Sequence, residues 1–152
     1  MKKTIFTILL FLACTLAVSA QTRAVGVRLG GTAEVSYQHC MPSDNFLEVD
    51  AGLSYLNNFS GVHVTGIYDF VFANVDRLSI YAGPGAQMGV YNQKTDDGIA
   101  TSFHLGIAGQ LGAEFAFRAV PINLSLDWRP CWAFIGNSFH ADSFCLGVRY
   151  RF

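Results

Sequence analysis

The chain has 152 residues, 51% of them hydrophobic and only 14% charged, with 10 Lys and Arg against 11 Asp and Glu and a formal net charge of −1. It is too apolar for a disordered tail, lacks the basic excess of a nucleic-acid binder, and at this length holds one domain at most. A mean hydropathy of +0.32, with 15 Gly, 13 Phe and 6 Tyr, leans toward β structure.

The first element stands apart from the fold. Met1-Lys2-Lys3 is basic, Ile5 to Leu12 is a short apolar run, and Val18-Ser19-Ala20 supplies the small residues of a cleavage site. Together they predict a secretory signal peptide over residues 1–20. A membrane anchor would need about 20 apolar residues, and lipidation at Cys14 would leave a very short apolar region. Residues 21–152 are then an exported domain; losing Lys2 and Lys3 leaves it eight basic groups against 11 acidic ones.

No part of that domain has a helical period or the roughly 18 consecutive apolar residues of a membrane helix. It alternates instead. Turn signals at Gly30-Gly31, Pro42-Ser43-Asp44-Asn45, Asn57-Asn58, Ala73-Asn74-Val75-Asp76, Thr95-Asp96-Asp97-Gly98, Ala119-Val120-Pro121 and Gly136-Asn137-Ser138 divide it. The predicted strands are 24–30, 33–41, 46–55, 61–72, 78–91, 100–117, 122–135 and 142–152. The break at Gly30-Gly31 is the weakest, because residues 24–39 could form one strand. An even strand number with both termini on one side of a membrane favours two.

In chain order, Leu47, Val49, Ala51 and Leu53 alternate with Glu48, Asp50 and Gly52, and Val62, Val64, Tyr68 and Phe70 with His63, Thr65 and Asp69. From Phe103 to Arg118 the odd positions are apolar and the even ones small or polar. Leu124, Leu126, Trp128, Trp132 and Phe134 oppose Asn123, Ser125, Asp127, Arg129 and Cys131. The closing strand sets Phe144, Leu146, Val148, Tyr150 and Phe152 against Cys145, Gly147, Arg149 and Arg151.

The two faces decide the architecture. A soluble barrel turns its apolar face inward, and a membrane barrel turns it to lipid. Here the polar face mixes glycines with Arg28, Glu48, Asp50, Asp69, Gln110, Glu114, Asp127, Arg129 and Arg149, which suits the narrow interior of eight strands. The other face is bulky, and Phe115, Phe117, Trp128, Trp132, Tyr150 and Phe152 near strand ends suit interfacial girdles. The expectation is an all-β, eight-stranded antiparallel up-and-down transmembrane β-barrel. The rival, a lipocalin-like carrier of an apolar ligand, would need a pocket holding almost every aromatic residue and a solvent face rich in Gly and poor in Lys.

The closing segment Leu146-Gly147-Val148-Arg149-Tyr150-Arg151-Phe152 resembles the assembly signal of bacterial outer-membrane barrels. With Gly26-Val27-Arg28-Leu29-Gly30 and Leu124-Ser125-Leu126-Asp127-Trp128-Arg129-Pro130, it makes the domain similar to the small OmpA/OmpX-like outer-membrane β-barrel family. The resemblance implies a Gram-negative outer membrane, contact with its lipids and lipopolysaccharide, and reading of Leu146, Val148, Tyr150 and Phe152 by the barrel-assembly machinery. The motif is silent on activity; the expectation beside it is a monomer with no cofactor, metal or nucleic-acid partner, and a structural or surface-interaction role rather than an enzyme.

Three further constellations remain. Arg28, Arg129, Arg149 and Arg151 can face Glu34, Glu48, Asp50, Asp69, Glu114 and Asp127, as buried charges require partners; the pattern reads as a salt-bridged interior more readily than an ion path. Cys131 and Cys145 share inward parity and lie equally far from Ser138, which allows either a cross-strand disulfide, if their Cβ atoms come within about 3.5–4.5 Å, or buried thiols. Ser102 with His104, and His140 with Asp142 and Ser143, offer Ser and His near outward loops. Lipid A acylation or deacylation would need a Ser–His pair with an orienting carboxylate, and neither group matches such enzymes' motifs.

Overall fold

The computed structural model describes residues 23–56, 59–95, 98–136, 138–140 and 144–152; the expected signal peptide lies outside them. Ten strands run through the described residues: β1 (Arg23–Gly30), β2 (Thr32–Cys40), β3 (Phe46–Leu56), β4 (Phe59–Val75), β5 (Leu78–Thr95), β6 (Gly98–Ala116), β7 (Ile122–Trp128), β8 (Cys131–Ile135), β9 (Ser138–His140) and β10 (Phe144–Arg151). β1 to β6 pair antiparallel in chain order, β6 pairs with both β7 and β8, and β10 joins β7 to β1. β9 pairs with β8. The pair β7 and β8 is the seventh stave and the pair β9 and β10 the eighth, so the sheet closes on itself with eight staves.

Three boundaries differ from the sequence reading, each for a local reason. The stave expected over 122–135 is interrupted at Arg129-Pro130, because proline has no N–H for the ladder. Its register survives: Leu111 lies opposite Trp128, Ala108 opposite Cys131, and the Gly109 N–H donates to the Pro130 carbonyl at 2.9 Å. The turn expected at residues 73–76 sits later. β4 continues to Val75 through an irregularity between Val71 and Ala73 that masks its alternation, and the chain reverses on Asp76 and Arg77, with Asp76 at φ 54°. Before β10, the eighth stave begins with the separate strand β9. At the weakest break, β1 and β2 are separate strands around Gly31, with Leu29 opposite Ala33.

Because side chains of a strand alternate between faces, the ring has two contrasting surfaces. The largest fully buried side chains include Arg28, Arg149, Tyr81, Glu48, Asp50, Asp69 and Asp127, whereas Leu29, Val35, Leu126 and Leu146 are 50–59% exposed on the outside. Trp128 and Phe115 also face out. The lipocalin-like alternative is thereby overturned, since it requires these residues inside. Among the described residues the buried apolar cluster is only Ile67, Ala108 and Cys131. A belt this apolar suits hydrocarbon rather than water, and a closed ring leaves no sheet edge around that belt.

Candidate functional site: a charged barrel interior

Inward positions on four staves, β2, β3, β6 and the seventh, converge on three guanidinium groups. Arg28 of β1 places Nη1 2.7 Å from Glu34, 3.0 Å from Asp50 and 3.6 Å from Glu48, and its Nε 3.3 Å from Asp127. Arg129, at the break between β7 and β8, reaches across the lumen to Asp50 at 2.6 Å, Glu48 at 2.8 Å and Glu34 at 3.3 Å. It also donates to Gln110 through Nε at 2.8 Å. Arg149 of β10 meets Glu48 at 2.7 Å and Glu114 at 3.2 Å, with Ser36 and Ser125 each accepting a hydrogen bond at 3.0 Å. Each guanidinium thus spends its fork on several oxygens, the arrangement that makes buried charge tolerable.

Glycine supplies the space. A Cβ on Gly112 would collide with the Asp127 carboxylate and stand 2.7 Å from the Tyr81 ring; a Cβ on Gly52 would stand 2.5 Å from Glu34 Cγ. Small residues on the inward face are therefore what allows long charged ones opposite.

The network sorts the expected residues. Arg28, Glu48, Asp50, Glu114, Asp127, Arg129 and Arg149 meet one another directly, whereas Asp69 stands to one side, accepting from Gln110 Nε2 at 3.1 Å. Arg151 is outside the network, at the rim, where Nη2 donates to the Phe117 carbonyl at 3.1 Å. Cys131 and Cys145 are free thiols, a correction to the disulfide reading: Cys131 lies opposite Ala108 and His140, Cys145 opposite Gly30 and Asp127, so the two never share a register. Leu146, Val148 and Tyr150 are exposed on the outer face of β10. Phe152 exchanges backbone hydrogen bonds with Arg23 at 2.9 and 3.3 Å, where the last strand closes on the first.

Several participants escaped the sequence reading. Tyr81 donates its hydroxyl to Asp127 and stacks edge-on with the buried Phe46, ring centroids 4.9 Å apart. His63 lies between Glu34, at 2.9 Å from Nε2, and Ser54, at 3.4 Å from Nδ1. Ser102 and His104, singled out for their spacing, do meet, Oγ to Nε2 at 3.0 Å. The side chain of His140 and residues Asp142 and Ser143 lie outside the described residues. Trp128 and Trp132, expected in a girdle, flank Pro130 midway along the seventh stave. Among the described residues no group of three or more His, Cys, Asp or Glu is arranged to hold a metal ion.

Known structures share this architecture. Neisserial surface protein A (NspA) is 12% identical with a TM-score of 0.59, the match covering 86% of this chain and 93% of that one. Ail, the attachment invasion locus protein of Yersinia pestis, is also 12% identical, with a TM-score of 0.55 and the same coverage. The N-terminal β-barrel domain of Pseudomonas aeruginosa OprF is 14% identical, with a TM-score of 0.66 over 88% of this chain and 100% of that domain. No family model and no curated protein matches the sequence. With an apolar exterior, a charged interior and eight antiparallel staves, the chain has the fold of the small outer-membrane β-barrels.

Proposed function

We propose that this chain is an integral protein of a Gram-negative outer membrane, with a structural or surface-interaction role and no open channel. The inversion of its two faces carries that reading: Arg28, Glu48, Asp50 and Asp127 are fully buried while Leu126 and Val35 are more than half exposed. Contact with outer-membrane lipids and lipopolysaccharide, a monomeric state, and delivery by the barrel-assembly machinery through Leu146, Val148, Tyr150 and Phe152 belong to the same reading.

The interaction surface is the hairpin of β5 and β6. Beyond the pairing of Leu105 with Ile135, β6 runs on for residues 98–104, about 20 Å of strand at 3.3 Å per residue. No described strand flanks the outer edge of residues 98–103, and Ile99 and Phe103 are 72% and 50% exposed. A free edge with apolar side chains accepts an added strand from an extended partner segment. One structural neighbour is named for attachment and invasion, which fits a role of this kind.

Membrane fractionation with heat-modifiable gel migration tests the location: a soluble product with unshifted migration refutes it. For the edge, the Gly109 N–H points toward β8, so by alternation the Thr101 N–H points away from β5. Thr101→Pro should leave barrel levels unchanged and abolish binding of expressing cells to a protein-coated surface. Binding that survives Thr101→Pro removes the edge from the account. The approach of Ser102 to His104 keeps a lipid-modifying enzyme as the second reading, which a change in lipid A mass on expression, lost in His104→Ala or His140→Ala, would establish.

A further inference from the structure

The outer wall carries a notch of about 630 Å³. Its floor is a row of three residues at one level on neighbouring staves: Pro84 of β5, Gly109 of β6 opposite it, and Pro130. Around the row stand Phe70, Trp128 and Trp132. The floor is low because glycine lacks a side chain and the prolines are compact. A Cβ on Gly109 would touch only Pro130 Cγ, at 3.8 Å.

Two observations set this place apart from the rest of the belt. First, both prolines withdraw a ladder donor. Pro130 accepts from Gly109 but has no N–H to return, and the pairing of β4 with β5 passes from Ile67–Gly85 to Phe70–Ala82 without the two pairs between, where Pro84 stands. Within hydrocarbon, where no water replaces the lost bond, two such positions on either side of one glycine carry a cost that an unbroken strand avoids. Second, the notch is continuous with the apolar belt, and its lining holds no ionisable side chain. Gly109 lies eight residues above Phe117, just past the lower end of β6, which at a strand tilt of about 40° is roughly 20 Å up a wall whose apolar band is about 25 Å tall. That is about 5 Å short of the band's upper edge, the depth occupied by the part of an acyl chain next to its headgroup.

We propose that the notch binds one hydrocarbon tail of a membrane lipid, laid over Gly109 between the two tryptophans. Its volume falls within the about 300–1,000 Å³ typical of small-ligand sites. The inference rests on the membrane reading above, and the experiment separates the two.

The chain's only tryptophans, Trp128 and Trp132, line the site and report on it directly. Full-length protein in detergent is titrated with a phosphatidylcholine brominated on the chain carbons near its headgroup, a contact quencher of indole fluorescence. Expected is a saturable quench with one tail bound per protein. Gly109→Leu, whose side chain fills the notch into open space, should weaken that saturable phase about tenfold or more. Ala51→Leu, exposed on β3, should leave it unchanged. Quenching that rises linearly with lipid, or alike in wild type and Gly109→Leu, overturns the proposal while heat-modifiable migration of the same samples keeps the membrane reading intact. A sample lacking that migration fails both readings. A notch filled by a second copy would instead give a dimer in sedimentation that Gly109→Leu dissociates, and that result also overturns it.

Discussion

Replacing Arg129 with Met should be far more damaging than neutralising a carboxylate of the same interior. Six buried or nearly buried carboxylates, on Glu34, Glu48, Asp50, Asp69, Glu114 and Asp127, share the lumen with three arginines. Cations are the scarce component. Arg129 lies within 3.3 Å of Glu34, Glu48 and Asp50, so Arg129→Met takes one cation away from each of three buried carboxylates. Removing one member of a buried ion pair costs about 3–5 kcal/mol, and Met matches the length of the lost stem without its charge. Asp69 is the contrasting case. Among the described residues no arginine comes within 4.0 Å of it, and its hydrogen bond from Gln110, at 3.1 Å, can be kept by an amide oxygen. Asp69→Asn should cost less than about 1 kcal/mol, in the range of a single neutral hydrogen bond.

Urea unfolding in vesicles or micelles, followed by Trp128 and Trp132 fluorescence, reads the difference. With a slope of about 2 kcal/mol/M, Arg129→Met should lower the midpoint by about 2 M, and Asp69→Asn by less than about 0.5 M. Adding Asp50→Asn to Arg129→Met should recover about 1 kcal/mol or more, since the lost pair is the 2.6 Å contact and residues in contact couple by about 0.5–3 kcal/mol. Equal effects of Arg129→Met and Asp69→Asn, or a double variant no more stable than the single one, would refute the claim that cations limit this interior.

Two other outcomes follow from the same geometry. Leu126→Arg, at a position 58% exposed on the outer face, should destabilise the barrel by about 2–4 kcal/mol in lipid; an effect within about 0.5 kcal/mol, as for an ordinary water-exposed site, would mean that the belt does not meet hydrocarbon. Cys131 and Cys145 are free and buried, so maleimide should label them only after unfolding, and gel migration should be the same with and without reductant. A reductant-dependent shift in the monomer band would restore the disulfide.

The alternation made most of the interior legible, because a two-residue period assigns every side chain of a strand once one is assigned. Arg28, Glu48, Asp50, Asp127 and Arg149 follow from parity alone. Which carboxylate meets which arginine does not, since that depends on how far each stave is staggered against the next; the reach of Arg129 to Asp50, 79 positions away, is a property of closure. Tyr81 was hidden because Gly83, Pro84 and Gly85 interrupt the pattern of its strand. The cysteine pairing failed on one assumption, a symmetric hairpin around Ser138. The register of β8 with β9 instead sets Ala133 opposite Ser138 and Cys131 opposite His140, which separates Cys145 from Cys131. Arg151 has inward parity but sits where the strand ends, and there the side chain can reach a rim carbonyl.

The same contacts bear on how the barrel closes. Apart from the seam of β1 with β10, neighbouring staves are joined by backbone ladders that form whether or not the sheet has curled into a ring. Arg149 to Glu48 and Arg129 to Glu48 and Asp50 are different: they join the seventh and eighth staves to β3 across the lumen, between residues 79 to 101 positions apart in sequence. They are absent from any open sheet. Burying Arg129 and Arg149 before Glu48 and Asp50 arrive would leave cations in a dry space, which is costly. The interior charges therefore favour a transition in which closure and dehydration of the lumen coincide, and they penalise a partly closed barrel more than a fully open or fully closed one. An interior of leucines would supply no such penalty, because apolar side chains can be dehydrated piecemeal.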